Sequence, residues 1–298
     1  MRFSCKAATP SPNQILLTNK TRMSYEFDAM VFKEPIILKG GDSNITIKFG
    51  DDGSLYLNLY ILTFEKITKS RKPDWLVDTT ALRTTIMLTF DPLRIQIDGV
   101  FAAVEEIIAE GICVPDEYPS RIVHLPVFYN DPLTRECAKR FDMPPNLEVM
   151  AEENNTSVDE IIRWHEAPEY FVSYTSFMFG SVGAFPIGKH KNIKNSKYKT
   201  PRTWTPPGTV GIGGSTTAIY SMKSPGGVMM LGNIPVKTFD ISAKNRHFED
   251  DNLLVHPGDR IKFHSIDANQ YEKLKGRRDS YSYEIEHSYI EWKAYESM

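Results

Sequence analysis

The chain has 298 residues, a length that predicts two compact domains, each with its own core. Hydrophobic residues make up 41% and charged residues 24%, too apolar for a disordered protein. Lys plus Arg number 35 against 38 Asp plus Glu, and a net charge of −3 excludes a surface built throughout for nucleic acid or anionic lipid.

In chain order, residues 1–39 show no clear period and read as an N-terminal extension. The first regular signal is the alternation Ile45-Thr46-Ile47-Lys48-Phe49, a half-buried strand closed by Gly50-Asp51-Asp52-Gly53. Leu55, Leu59 and Leu62 then recur at helical spacing, Trp75-Leu76-Val77 reads as a short strand and Thr84 to Phe90 as an alternating one. An amphipathic helix over Val100 to Ala109 ends at Gly111, and Arg121 to Val127 follows as a strand. This order is the βαββαβ pattern of a ferredoxin-like α/β domain over residues 40–130.

Residues 131–168 read as a helical connector. Its last helix is capped by Ser157, with Glu160 three residues on, and is stopped by Pro168. Beyond it the grammar changes. Ten of the 18 glycines fall between Gly180 and Gly232, among short runs such as Ala218-Ile219-Tyr220, Val228 to Leu231, Val236 to Phe239 and Arg260 to Phe263. Short strands with glycine turns predict a closed or nearly closed β-barrel over 169–267. The uncharged run Phe171 to Gly188 approaches membrane-span length, but its glycines and Pro186 favour a buried strand and a glycine loop, so no membrane association is expected. The charged and aromatic tail, 268–298, reads as a linker or docking arm. The fold class is therefore α+β.

Cys5, Cys113 and Cys137 are scattered without metal-ligand spacing, and the N-terminus carries no apolar leader. Both features predict a cytoplasmic protein with reduced thiols and no metal. Charge is unevenly spread: Lys189, Lys191, Lys194, Lys197, Lys199 and Arg202 lie in one acid-free segment, leaving 29 basic against 38 acidic residues elsewhere, or −9. For the first half of this run a solvated face and a functional role both remain open. Its second half runs into Thr203-Trp204-Thr205-Pro206 and a glycine cluster, combining cation, ring and backbone amides as an anion site would. Aromatic residues are not repeated along it, which argues against RNA.

Gly211-Ile212-Gly213-Gly214 lacks the strand, spacing and helix of a dinucleotide fingerprint. A backbone nest for a carboxylate or oxyanion and a bulge at a barrel corner both remain open for it. Ser224-Pro225-Gly226-Gly227 admits the same pair of readings, with a plain turn favoured. Gly213-Gly214-Ser215 is no nucleophile elbow, because Thr217 replaces the required glycine. His165 ends the capped helix, where the helix dipole favours its protonated form, and has no defined catalytic partner, so a structural role outweighs a catalytic one.

Six motifs occur in an order that resembles the carboxyltransferase C/D-subdomain family: Gly41-Asp42-Ser43, Phe90-Asp91-Pro92, His165 to Tyr170, Gly208 to Gly214, Ser224 to Gly227, and Pro257-Gly258-Asp259-Arg260-Ile261. The family includes a 5-oxoprolinase subunit, allophanate hydrolase subunit one and a sporulation histidine-kinase inhibitor. Pro119 to Pro126, Asp131 to Glu136, Lys197-Tyr198, Arg202 to Pro206 and the tail from Tyr271 to Glu286 are similar to the corresponding half of the urea carboxylase carboxyltransferase domain. The resemblance implies a cyclophilin-like barrel, a complementary A/B-type carboxyltransferase half sharing the active site, and a biotin carboxylase and biotin carrier as further partners. It also implies biotin, as carboxybiotin on the carrier, with ATP used by the biotin carboxylase.

On this footing Lys197, Arg202 and Tyr220 are expected catalytic residues. Tyr198, Phe179, Gly213, Gly214, Pro225, Gly226 and Gly227 are expected to bind substrate, with the Gly213 and Gly214 amides as oxyanion contacts. Ser176 to Pro186 departs from the family's acid-containing or Gly-Phe-x-Pro-Gly-Phe loops and puts Phe179 near the substrate, which implies a larger or less polar acceptor than urea. The expected function is half of a biotin-dependent carboxyltransferase site acting on a small urea- or amide-like acceptor, inactive alone. An ATP-dependent 5-oxoprolinase-type lactamase subunit and a non-catalytic histidine-kinase inhibitor are the alternatives.

Overall fold

A computed structural model describes residues 30–196 and 198–296 of the chain. It divides into two compact units, with the boundary between Asp116 and Glu117. Among the described residues no helix is long and apolar enough to cross a membrane.

In the first unit, β1 (Ile36–Gly40) and β2 (Asn44–Lys48) form a hairpin, followed by α1 (Leu55–Ser70), β3 (Leu76–Ala81), β4 (Thr85–Phe90) and α2 (Ile97–Ala109). The four strands make an antiparallel sheet in the order β1-β2-β4-β3. Alternation sends Ile45 and Ile47 of β2 and Ile86, Leu88 and Phe90 of β4 into the core. Ser54 caps α1 by accepting from the Leu57 amide at 3.1 Å, and α1 buries Leu55, Leu57, Leu59, Ile61, Leu62 and Phe64.

The expected βαββαβ order is corrected here to ββαββα. Ile36 to Gly40, assigned from sequence to a patternless extension, supplies the fourth strand. Its burial is slight, so no apolar alternation marks it, and its register against β2 is fixed by the short Gly41 to Ser43 turn instead. Arg121 to Val127, expected as the sheet's last strand, belongs to the second unit.

That unit begins with β5 (Glu117–Tyr129) and continues through α3 (Pro132–Arg140), α4 (Asn146–Glu153) and α5 (Val158–Glu166). Asp131 caps α3 through the Leu133 and Thr134 amides at 2.9 and 3.1 Å, and Ser157 caps α5 through the Glu160 amide at 3.2 Å. The strands β6 (Glu169–Tyr174), β7 (Val182–Ile187), β8 (Arg202–Thr205), β9 (Thr209–Gly213), β10 (Thr216–Ile219), β11 (Ser224–Gly226), β12 (Met229–Asn233) and β13 (Arg260–Ser265) follow, then α6 (Ala268–Lys275), β14 (Ile285–Glu291) and α7 (Trp292–Glu296).

Eight strands form one sheet, β12-β9-β10-β7-β6-β13-β5-β14, and an added β12–β5 pairing closes seven of them into a ring. The barrel expected from the glycine pattern is thus present. β8 and β11 make a separate two-stranded ribbon. Thirteen-residue β5 is the keystone: Ile122 to Val127 pair with β13 in parallel, Phe128 and Tyr129 pair with β12, and Glu117 to Val123 pair with β14. Val123, Leu125, Val127, Val210, Leu231, Ile261 and Phe263 fill the interior.

Two expectations fail in this unit. Val236 to Phe239 is irregular apart from a bridge between Phe239 and Leu253, because Pro235 has no N–H to continue the ladder. The tail is no free arm. β14 lies along β5 over seven residue pairs, and Ile290 and Trp292 are buried.

Two family motifs clasp each other within the barrel wall. Arg121 binds Asp259 through Nε at 3.0 Å and Nη2 at 2.5 Å, and Asp259 also accepts from the His256 amide at 2.8 Å. Arg260, only 3% exposed, reaches Glu169 at 2.7 Å, Ser120 Oγ at 3.2 Å and the Tyr289 carbonyl at 3.3 Å. Pro257 to Ile261 therefore ties β13 to β5, β6 and β14.

Candidate functional site

Arg202 opens β8 and is 1% exposed, the largest fully buried side chain described. Its Nη1 donates to the Val228 carbonyl at 3.0 Å and its Nε to Thr205 Oγ1 at 3.4 Å. The guanidinium lies over the Tyr198 ring, 4.8 Å from its centroid. Nη2 has no hydrogen-bond partner, and no carboxylate pairs with Arg202 among the described residues. A buried cation without a counter-ion is costly, so an anion from outside the chain is its natural complement.

The basic run therefore divides. Lys189, Lys191, Lys194 and Lys199 are exposed, in keeping with a solvated face, and among the described residues of the run only Arg202 turns inward. Lys197 lies outside the described residues.

Around Arg202 the chain assembles several expected residues. Tyr198 is buried, its hydroxyl accepts from Asn146 Nδ2, and its amide donates to the Gly227 carbonyl at 3.3 Å. β8 and β11 bring Gly226 opposite Arg202 and Ser224 opposite Thr205. A Cβ on Gly226 would overlap the Tyr220 hydroxyl, so only glycine allows that close approach. Pro225 is exposed in the middle of β11, where the register shifts between Ser224 and Gly226. Ser224 Oγ, on the same ribbon, is a second buried polar atom without a partner. Burial raises both phenols, against the opposing charge of Arg202, and keeps Tyr198 and Tyr220 neutral hydrogen-bond donors near pH 7.

Tyr220 also lines a cavity of about 230 Å³ with Gly208, Asn233, Phe239 and Tyr271. Asn233 donates to the Pro207 carbonyl at 2.8 Å and accepts from the Tyr271 hydroxyl at 2.7 Å, which fixes two walls. Three cations, Lys237, Lys275 and Arg278, are also part of the lining. Lys237 is neutralised by Asp240 at 2.9 Å and Asp279 at 2.6 Å and Lys275 pairs with Glu272 at 3.7 Å, whereas Arg278 has no ion pair among the described residues. Phe179, 75% exposed, stacks on Phe239 at 6.1 Å, and its carbonyl accepts from Ser221 Oγ beside Tyr220. It stands one ring behind the cavity wall.

Two expected residues lie elsewhere. Gly213 and Gly214 turn β9 into β10, at the end of that hairpin remote from Tyr220. The Gly214 amide donates to Asn195 Oδ1 at 2.9 Å, and Asn195 Nδ2 returns a bond to the Gly214 carbonyl at 2.9 Å. Their assignment to an oxyanion is corrected on that ground: the Gly214 N–H is already engaged, and Gly213 pairs with Thr216 in the hairpin. The φ of +69° at Gly214 marks a tight turn.

His165 is fully buried. Its Nδ1 lies 2.7 Å from the Tyr129 hydroxyl, and the ring stacks on Phe263 at 4.9 Å. The expected preference for the protonated form is overturned, because burial pushes its pKa down to about 3 and outweighs the helix dipole. Unfolded His165 titrates near 6.5, so between these values the unfolded state binds the extra proton. Stability is complete above pH 6.5 and is lost as pH falls, by about 3 kcal/mol at pH 4. Urea melts from pH 4 to 7 should show this slope, and His165→Gln should flatten it by that amount; equal slopes in both proteins would refute the assignment.

Asn146, Asn233, Tyr271, Lys275 and Arg278 were not anticipated. The last two belong to Lys273-Leu274-Lys275-Gly276-Arg277-Arg278, a second basic cluster that was legible in the sequence beside the longer run.

With this geometry, a closed barrel presents a buried cation unpaired among the described residues, next to Tyr220 of a cavity in whose lining Arg278 is the one such unpaired cation. The profile of the carboxyltransferase domain, subdomain C and D, matches residues 35–248, and the chain belongs to that family. It is 28% identical over 247 residues to a 5-oxoprolinase subunit of Bacillus subtilis, covering 79% of this chain and 94% of that one. It is also 25% identical over 265 residues to urea amidolyase of Saccharomyces cerevisiae, covering 83% of this chain and 14% of that protein. The crystal structure of the K. lactis urea amidolyase superposes with a TM-score of 0.80 and 22% identity over 88% of this chain and 17% of that one, a likeness of fold. The chain is thus related to enzyme components, in one case a subunit and in the other a part of a much longer protein.

Proposed function

We propose that the chain supplies one half of a carboxyltransferase site that moves a carboxyl group from carboxybiotin on a partner to a small urea- or amide-like acceptor. The observation that carries this reading is the buried Arg202 guanidinium with, among the described residues, no partner for its Nη2 and no carboxylate to balance it. A carboxylate fits that donor in charge and geometry. Ser224 Oγ, unpartnered on the same ribbon, offers a second hydrogen bond.

Carboxybiotin supplies the activated carboxyl group. Arg202 would hold its carboxylate, and the neutral Tyr220 hydroxyl would donate toward the oxygen on which charge develops, a preorganised arrangement that lowers the barrier. Phe239, backed by Phe179, would give the cavity wall apolar surface, in keeping with an acceptor less polar than urea. Phe177 and Phe179, each 75% exposed, are suited to face the complementary A/B-type half. The further partners under this reading are a biotin carboxylase that uses ATP and a biotin carrier, and the location is cytoplasmic.

A second reading, a subunit of a 5-oxoprolinase, is favoured by the similarity that spans 94% of the Bacillus subtilis protein. One experiment separates the two. The chain is co-purified with its A/B-type partner, and ATP hydrolysis is followed with biotin carboxylase, carrier and bicarbonate across ureas and amides, or with 5-oxoproline alone. The first reading expects hydrolysis that requires bicarbonate, carrier and acceptor together. Hydrolysis driven by 5-oxoproline without biotin would replace it with the second.

A further inference from the structure

A second cluster lies on the outer wall of the barrel, apart from Arg202. Val123, Leu125 and Val127 of β5 point into the core, so alternation turns His124 outward. β14 runs antiparallel to β5 with Ile285 opposite Val123 and Glu286 opposite Ile122, which brings Glu284 opposite His124. The His124 amide donates to the Glu284 carbonyl at 3.0 Å, fixing that register. Glu284 and Glu286, two residues apart, then share the face of His124.

One ligand atom from each of the three side chains falls within 4.8 Å of the other two, and His124 Nε2 lies 2.7 Å from Glu286 Oε1. β13 adds His264, two residues beyond the register partner of His124 and therefore on the same face of the neighbouring strand.

We propose that His124, Glu284 and Glu286 form a binding site for a divalent transition metal ion of the Zn²⁺ class, which fastens β14 to β5. Two carboxylates held together repel each other, and a dication relieves that repulsion. The imidazole directs the choice away from Mg²⁺ and Ca²⁺, which take oxygen ligands. Tetrahedral Zn²⁺ with ligands at about 2.1 Å needs donors roughly 3.4 Å apart, a small rotamer change for exposed glutamates. His264 or water would complete the coordination. No spacing rule finds this set in the sequence, because its members come from strands separated by 162 positions and meet only through the β5–β14 register.

The test uses the full chain stripped with a chelator and titrated calorimetrically with ZnCl₂, and spectroscopically with Co²⁺. One equivalent is expected, with a Co²⁺ spectrum free of thiolate charge-transfer bands, which excludes the cysteines as ligands. Zinc should raise the melting temperature of the wild-type chain. His124→Gln and Glu284→Gln should each weaken binding at least ~10-fold and abolish that rise. Glu284→Gln alters an exposed side chain outside the core, so its fold is retained and the comparison stands even if the histidine variant folds poorly. Thiolate bands, binding undiminished in both variants, or no saturable binding would overturn the proposal.

Discussion

Arg202→Met should give a chain at least as stable as the wild type and an assembled enzyme whose turnover falls ~100-fold or more. Arg202 is 1% exposed, balanced by no carboxylate among the described residues and held by two neutral acceptors and the Tyr198 ring. Methionine of similar volume removes the desolvation cost, worth about 1 kcal/mol or more in favour of the folded state. A cation retained for stability behaves in the opposite way, since its loss would unfold the β8–β11 ribbon. Urea denaturation of the chain and steady-state rates of the assembled complex measure the two halves of this expectation. Arg202→Lys should lose comparable turnover, because an ammonium lacks the planar fork that presents Nη2. Unimpaired turnover in the methionine variant would remove Arg202 from the site.

The largest stability effect is expected at Asp259. Asp259→Ala leaves the Arg121 guanidinium without its bidentate partner and the His256 amide without its acceptor. Removing one member of a largely buried pair should cost about 3 kcal/mol, which for a unit of this size lowers the melting temperature by roughly 8 °C. The double replacement Arg121→Met with Asp259→Leu should recover a good part of the loss, because it leaves no orphaned charge. Calorimetry of the three variants checks this. A loss below ~1 kcal/mol in the single variant would show the clasp to be a surface pair of little weight.

These two residues also mark how far the sequence can be read. The motif Pro257 to Ile261 is conspicuous as a string, yet its role as the knot between β5, β6, β13 and β14 comes from partners far along the chain, such as Ser120 and Arg260 at a separation of 140. The barrel was legible because glycine turns and short alternating runs are local signals. The fate of Arg121 to Val127 was not, since an alternating strand says nothing about which sheet it joins. β1 was missed because an exposed edge strand carries no buried face to betray it.

At the site, the junction of a cation, a ring and glycines points to the segment that ends in Arg202, the family resemblance adds Tyr198, Tyr220 and Gly226, and the structure draws these four together. Gly213 and Gly214 looked like the same kind of signal. Glycine density cannot distinguish an amide free to bind from one already occupied by a neighbour such as Asn195. Arg278 and Lys275 sit in a tail that reads from sequence as an arm, and their cavity exists only once α6 packs against the barrel.

The position of β5 at the centre of its sheet has a consequence for how the chain is made. It is the first strand of its unit to be synthesised, yet two of its three partners, β13 and β14, are among the last. Closure of the ring must wait until residues near 265 have emerged and the pairing with β14 until those near 291, and contacts spanning ~160 residues carry a loop-closure penalty that slows folding. In that interval β5 exposes alternating Val123, Leu125 and Val127 with unpaired edges, a segment that chaperones would recognise and that would aggregate if release were delayed. Expression yield should therefore be more sensitive to truncation within β13 or β14 than to substitution anywhere on the barrel surface.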